Sequence, residues 1–218
     1  MSCFGLGLKV EVQWKGARGR AALFGAALLW SFGGAGCHWN GIRGDSPASF
    51  ATHPPTFRVD EASYALADPA ETRIVINLDA QSLRLIDRNG AVLVESDAST
   101  GVPGHETPVG TFEILEKLPT KRSNRYGRYV RPGTGEIVVA QAWTHPGPRP
   151  EDTVYEGIEM PLWMRVTWDG IGIHQGRFPR GMRSSHGCIR MPLAAQERIF
   201  AKSIVGTPVV VETGSADD

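Results

Sequence analysis

The sequence predicts a mainly β domain, a sandwich or barrel with one or two short helices. Three observations predict it. Short apolar runs alternate at period two and are separated by turn residues. Glycine (26) and proline (15) are abundant, which favours turns over long helices. Only one stretch, close to the C-terminus, carries a helical pattern. The predicted domain runs from 72 to 213 and is long enough to bury a core. A tail of 214–218 follows it.

TRIVINL opens the domain, with Ile74, Ile76 and Leu78 on one face at period two. QSLRLIDRNGAVLVES reads as a hairpin closed by Asn89-Gly90, a pair that supplies the positive φ values of a tight turn. TPVGTFEIL (107–115) reads as a loop feeding a strand, and IVVAQAW (137–143) as a further strand. PLWMRVTWDGIGIHQG (161–176) is again hairpin-like, with Asp169-Gly170 at the turn and His174 at the end of a short strand. MPLAAQERIFAKSI reads as the helix, started by Pro192, with Leu193, Ile199, Phe200 and Ile204 as its apolar face. TPVVVE (207–212) closes the domain with a strand.

The first 36 residues have the layout of a secretory signal. Lys15, Arg18 and Arg20 precede the apolar AALFGAALLWSF (21–32), and small residues follow. Twelve apolar residues fall short of the ~20 a spanning helix needs. The long charged lead-in suggests a true start downstream of Met1. GAGC also resembles a lipoprotein signal, which would make Cys37 a lipidated first residue and a point of membrane attachment. Gly34 departs from that pattern, so ordinary cleavage stands beside it. Residues 37–71 hold Pro47, Pro54, Pro55 and Pro69 without a sustained period, and read as a tether.

The 23 basic and 23 acidic residues cancel, so no excess charge exists to bind a nucleic-acid backbone. With Cys3 and Cys37 assigned to the signal and its edge, Cys188 is the single cysteine of the domain. It sits in RSSHGCIRM (183–191) among His, Gly, Ser and Arg. A lone cysteine of a secreted protein is read as a reactive thiol before a staple. Three readings compete: an inert buried thiol, a zinc ligand with His174 and His186, and a nucleophile. An inert thiol usually has apolar neighbours. Structural zinc usually takes four ligands, and no fourth is apparent. The nucleophile is favoured. His174, on a separate strand, is then a better general base than His186. Gly187 permits a sharp turn that would aim the amides of His186, Gly187 and Cys188 at one oxyanion, and Ser185 would brace the loop. Arg177, Arg180, Arg183 and Arg190 surround the cluster with no Asp or Glu between 170 and 196, a charge that would favour thiolate and attract carboxylates. A solvated basic loop is the plain alternative for the first three. Arg190, two residues past the cysteine, shares its face on a strand.

His174, ten intervening residues and SHGCIR resemble the signature of L,D-transpeptidases with the YkuD-type catalytic domain. STGVPGHETPVGTFEIL resembles the family's Thr-Gly…Thr-Pro-x-Gly-x-Phe region, and MPLWMRVTWDGIGIHQG its strand pair leading into the histidine. The likeness covers about 72–213. It implies a YkuD-like β fold and no metal or organic cofactor. It also implies that Cys188 attacks a peptidoglycan tetrapeptide stem after a diaminopimelate-type residue and forms a thioester as terminal D-Ala leaves. An amine then resolves it, or water in an L,D-carboxypeptidase. His174 would be base and acid, and Gln175 would orient its ring through a backbone carbonyl. Arg190 would bind substrate. A periplasmic or envelope location follows from that substrate. The rival is a non-catalytic peptidoglycan-binding module. Two departures stand out: Arg190 where many members have Asn, and a short spacer between His and Ser. A subset shares both, so they bear on the pocket and not on the chemistry. TKRSNRYGRYVR, with Lys121, Arg122, Arg125, Arg128 and Arg131, is expected to form a flap that engages substrate carboxylates, against an ordinary surface loop.

Overall fold

The computed structural model describes residues 55–214. The signal-like segment, Cys37 and most of the expected tether lie outside them. In chain order the elements are β1 (Phe57–Val59), α1 (Glu61–Leu66), a 3-10 turn (Pro69–Glu71), β2 (Arg73–Asn77), β3 (Ser82–Ile86), β4 (Val92–Asp97), β5 (Gly110–Glu113), β6 (Glu116–Val130), β7 (Ile137–Val139), a second 3-10 turn (Ala142–Thr144), β8 (Val154–Arg165), β9 (Gly172–Gln175), β10 (Ile189–Met191), α2 (Leu193–Ala201) and β11 (Pro208–Glu212). They form a six-stranded sheet, β1-β4-β3-β2-β11-β5, and a five-stranded sheet, β10-β9-β8-β6-β7. The mainly β expectation holds.

Period-two patterning builds the core. Ile74, Ile76, Leu83, Leu85, Val209 and Val211 are buried from the first sheet, and Met164, Ile173, Ile189 and Met191 from the second. Ala195 and Ile199 of α2 join the same cluster. Strands β3 and β4 pair antiparallel as the hairpin reading predicts, and β2 joins β3 antiparallel. The turn at Asn89-Gly90 differs in detail: only Gly90 has positive φ, at 86°. The Asp87 carboxylate accepts from the N–H groups of Asn89 (2.9 Å) and Ala91 (2.8 Å) and holds a longer loop than a two-residue turn.

The helix starts at Pro192 as expected, but its buried face is Ala195, Gln196 and Ile199. Leu193 and Ile204 are exposed. Gln196 occupies a core position because its amide donates to the Leu162 carbonyl at 2.7 Å. Only Ile137–Val139 of the IVVAQAW run is strand. Within the stretch read as a tether, 57–71 is ordered structure. Strand β1 pairs with β4, Asp60 caps α1, and buried Tyr64 donates its hydroxyl hydrogen to the Arg198 carbonyl at 2.9 Å.

Two features position the site. Strands β9 and β10 are parallel neighbours, with Ile189 beside Ile173 and Arg190 beside His174. The crossover between them is the loop that carries the SHGC sequence. The β6–β8 hairpin runs well past β9, which pairs only with Met164 and Arg165 of β8.

Candidate active site

Cys188 comes one step before the Ile189–Ile173 pair, and His174 one step after it on the neighbouring strand. Both line one cavity of about 220 Å³, together with Ser185, His186 and Arg190. The opposite wall comes from the long hairpin and the second 3-10 turn, through Ser123, Tyr126, Ile158, Met160 and Trp143. Five of the seven site residues read from the sequence therefore line one space. Gln175 acts through its backbone, and Gly187 forms the turn between His186 and Cys188.

His174 is buried, and its Nδ1 lies 2.7 Å from the Gln175 carbonyl oxygen. A carbonyl only accepts, so Nδ1 carries the hydrogen and Nε2 keeps its lone pair. Burial lowers the imidazole from 6.5 to about 4, with the Gln175 bond opposing and Arg190 assisting. The ring is thus a neutral base at neutral pH. Cys188 is half-buried, and its thiol faces the Gly170 carbonyl at 3.7 Å. Burial pushes the thiol up from 9.0, against the Gly172 N–H and the Arg190 charge, which pull it down. Desolvation therefore outweighs the positive surroundings that the sequence suggested would give a thiolate.

Those surroundings are also less positive than the local sequence implies. Arg180 pairs with Asp97 at 2.9 Å, and Arg183 with Asp79 at 3.5 Å and the Leu78 carbonyl at 3.0 Å. Both aspartates come from the far sheet or its loops, outside the window that looked free of acids. Of the four arginines, Arg190 lines the cavity, with its stem against Gly176.

The loop holding Cys188 is fixed by a buried polar network. Ser184 and Ser185 donate their N–H groups to the Thr100 carbonyl, each at 3.1 Å. Ser99 and Arg190 exchange two backbone bonds, at 3.0 and 2.9 Å. The Gln81 amide clamps Thr100 from behind, accepting from its N–H at 2.9 Å and donating to its hydroxyl at 2.7 Å. Ser185 donates its hydroxyl to the Cys188 carbonyl and accepts the Gly187 N–H at 3.2 Å. Ser185 thus braces the loop, and it engages the Gly187 amide that the sequence reading had assigned to an oxyanion. Gly187 has φ of 107°, a conformation that a Cβ would strain. Thr107 donates to the Gly187 carbonyl at 2.7 Å.

His186 is exposed and belongs to an aromatic group. Its ring stacks on Tyr126 at 4.8 Å and meets His105 edge-on at 4.5 Å, while Tyr126 meets Trp143 at 5.4 Å. Burial, with His105 next, lowers its basicity. Gln81, Thr100, Thr107, Tyr126 and Trp143 are contributors that sequence reasoning missed. Thr100 and Thr107 had a signal, in the Thr-Gly…Thr-Pro-x-Gly-x-Phe block. Among the described residues no group of three His, Cys, Asp or Glu is placed to hold a metal.

The expected cationic flap is the β6–β8 hairpin, and it is not a free array of charge. Arg122 pairs with Glu159 and Glu156, Arg128 with Glu156 at 2.6 Å, and Arg131 with Glu136 at 3.0 Å. Lys121 lies over Trp163 and Arg125 over Tyr126.

The YkuD family model, that of the L,D-transpeptidase catalytic domain, matches residues 71–211. The chain belongs to the L,D-transpeptidase catalytic domain family. L,D-transpeptidase 1 of Mycobacterium tuberculosis is 26% identical over 168 residues, covering 72% of this chain and 59% of that relative. The chain thus matches about three fifths of the relative's length. Among solved structures, an L,D-transpeptidase from Mycobacterium smegmatis is 25% identical, covers 65% of this chain and 58% of that one, and has a TM-score of 0.49. The catalytic domain of the Enterococcus faecium L,D-transpeptidase is 25% identical, covers 65% of this chain and 96% of that one, and has a TM-score of 0.44.

Proposed function

We propose that this chain is a cysteine-dependent L,D-transpeptidase acting on peptidoglycan stem peptides, with Cys188 as nucleophile and His174 as base and acid. The observation that carries the reading is the Nδ1–Gln175 bond of His174. It leaves a neutral Nε2 lone pair in the cavity that also holds the thiol. As Sγ attacks the donor carbonyl carbon, the thiol proton passes to Nε2. The oxyanion takes the amides of His186 and Cys188, on either side of the engaged Gly187. Collapse breaks the peptide bond, His174 returns the proton to the leaving D-Ala nitrogen, and a thioester remains. An acceptor amine then attacks the thioester, giving its proton to His174, which returns it to the departing sulfur. Arg190, half-buried on the cavity wall, is the residue for a donor carboxylate. Stem, protein and free D-amino acid amines are all acceptors of this chemistry, and water would give a carboxypeptidase. We place the enzyme in the cell envelope on its substrate and its signal-like segment, either lipid-anchored at Cys37 or released by ordinary cleavage.

Intact-protein mass spectrometry of the full chain with a tetrapeptide donor tests this. A mass gain on wild type, located at Cys188 and absent from Cys188→Ala, is the expected result. Neither acylation nor donor turnover, by rapid quench as well as at steady state, would leave a binding module instead.

A further inference from the structure

Helix α2 carries one residue that its own stability does not call for. Gln196 is completely buried, and its Oε1 has no hydrogen-bond partner among the described residues. A half-satisfied amide in a core costs more than an apolar side chain of the same size. Its other end is engaged: Nε2 donates to the Leu162 carbonyl at 2.7 Å. Leu162 is itself unusual. It lies inside β8 with φ of 54°, in the left-handed region that a bulky side chain resists. Neighbouring rungs pair Leu118 with Trp163 and Thr120 with Pro161, so Pro119 falls opposite Leu162. Proline has no N–H to offer the Leu162 carbonyl. Gln196 supplies the donor that the ladder lacks. The kink divides β8 by function. On one side, Ile158 and Met160 wall the Cys188 cavity. On the other, Trp163 is fully buried, its ring 6.0 Å from the His174 ring between centroids and tilted 34° to it. The indole donates to Glu116 at 3.1 Å and closes on Gly172, two residues before His174.

We infer that Gln196 is a positioning residue: through the Leu162 carbonyl it holds the β8 kink that seats Trp163 against His174. The inference rests on the reading of His174 as the base, and it concerns what keeps that ring in place. Gln196 does not line the Cys188 cavity, so it acts through its neighbours. Strained backbone persists only where its surroundings hold it. Without the Gln196 bond, Leu162 relaxes toward extended backbone and the peptide joining it to Trp163 turns. The indole then leaves the imidazole. The bond from Nδ1 to the Gln175 carbonyl loses its backing, and the Nε2 lone pair is no longer aimed at the thiol.

Gln196→Met, which keeps the length and removes the donor, tests this in the full chain. Acylation of Cys188 by a tetrapeptide donor should slow about tenfold. The donor KM should stay within about twofold of wild type. Nitrogen NMR of the His174 ring should show the Nδ1–H tautomer giving way to a mixture. Adding Leu162→Gly, which takes φ of 54° without strain, should bring the rate back to within about threefold of wild type. A purely structural Gln196 would lower the melting temperature and leave the rate and the tautomer of the folded protein unchanged. That result would overturn the inference, and so would a Leu162→Gly addition that restores nothing. Should the Met variant not fold, Gln196→Asn, too short to reach Leu162, takes its place with the same expectations. If wild type itself does not acylate, the cysteine chemistry fails separately. A tautomer that still depends on Gln196 then keeps the positioning role, and one that does not overturns it.

Discussion

The hydroxyl of Thr107 donates to the Gly187 carbonyl at 2.7 Å and accepts the Gly101 N–H at 3.0 Å, so one buried side chain joins two loops. This bond sets the peptide unit that precedes Cys188. Replacing Thr107 with Val keeps the shape and removes both bonds. Each buried polar group left unpaired costs about 1–3 kcal/mol. Thr107→Val should lower the melting temperature and slow acylation of Cys188 more than tenfold. Thr107→Ser should restore most of both. Full acylation rate in the Val variant would show that the loop is set elsewhere.

His174 links folding to acidity. Buried in the native state, it stays neutral to about pH 4, while its unfolded counterpart protonates near 6.5. Between those values the unfolded chain binds more protons. Native stability therefore falls as pH drops through the window and levels off below it. The shift corresponds to about 3 kcal/mol. Urea unfolding at pH 7, 5.5 and 4 should show the loss. In His174→Gln that component of the slope should vanish, leaving only what the carboxylates add. An equal slope in both proteins would mean that His174 is not buried as a neutral ring.

What could be read from the sequence followed the range of the interactions. His174 stands on β9 and Cys188 one residue before the adjacent parallel strand β10, and their chemistry lies in their immediate neighbours. Strands β2 to β4 announced themselves by period two. The arginines misled because Asp79, Asp97, Glu156 and Glu159, which neutralise them, arrive through topology. The 57–71 segment looked like a tether because β1 is only three residues long and Tyr64 finds its partner at Arg198. Gln196 of α2 is drawn inward by the Leu162 carbonyl of β8, a partner that topology supplies. The aromatic wall of Tyr126 and Trp143 had no local signal at all.

Gly172 lies beside the site for a packing reason. A Cβ there would stand 2.5 Å from the Trp163 indole and 2.7 Å from the Met164 carbonyl. Trp163 is fully buried, so its ring has nowhere to retreat. Gly172→Ala should cost about 1–3 kcal/mol by overpacking. It should also push β9, and with it His174, away from Cys188. The check is chemical denaturation beside the acylation rate. Wild-type stability in the Ala variant would show that the indole moves freely.

The resting thiol is predicted to be neutral, and alkylation can establish that. Burial raises Cys188 above 9.0, while the Gly172 N–H and Arg190 oppose it. His174 is too weak a base to hold the proton in an ion pair. Iodoacetamide should therefore modify Cys188 at a rate that climbs steadily from pH 6 to 9 without a plateau. A preformed thiolate–imidazolium pair would give a flat profile over the neutral range, and that result would sink the neutral-pair description. Arg190 lies two residues past Cys188, on β10, and is half-buried, so its charge is poorly screened. Arg190→Gln should move the curve to higher pH and cut the rate at pH 7 by about three- to tenfold. Arg190→Lys, which keeps the charge, should recover part of it. If Gln and Lys behave alike, Arg190 acts through its shape and hydrogen bonds, and its charge does not tune the nucleophile.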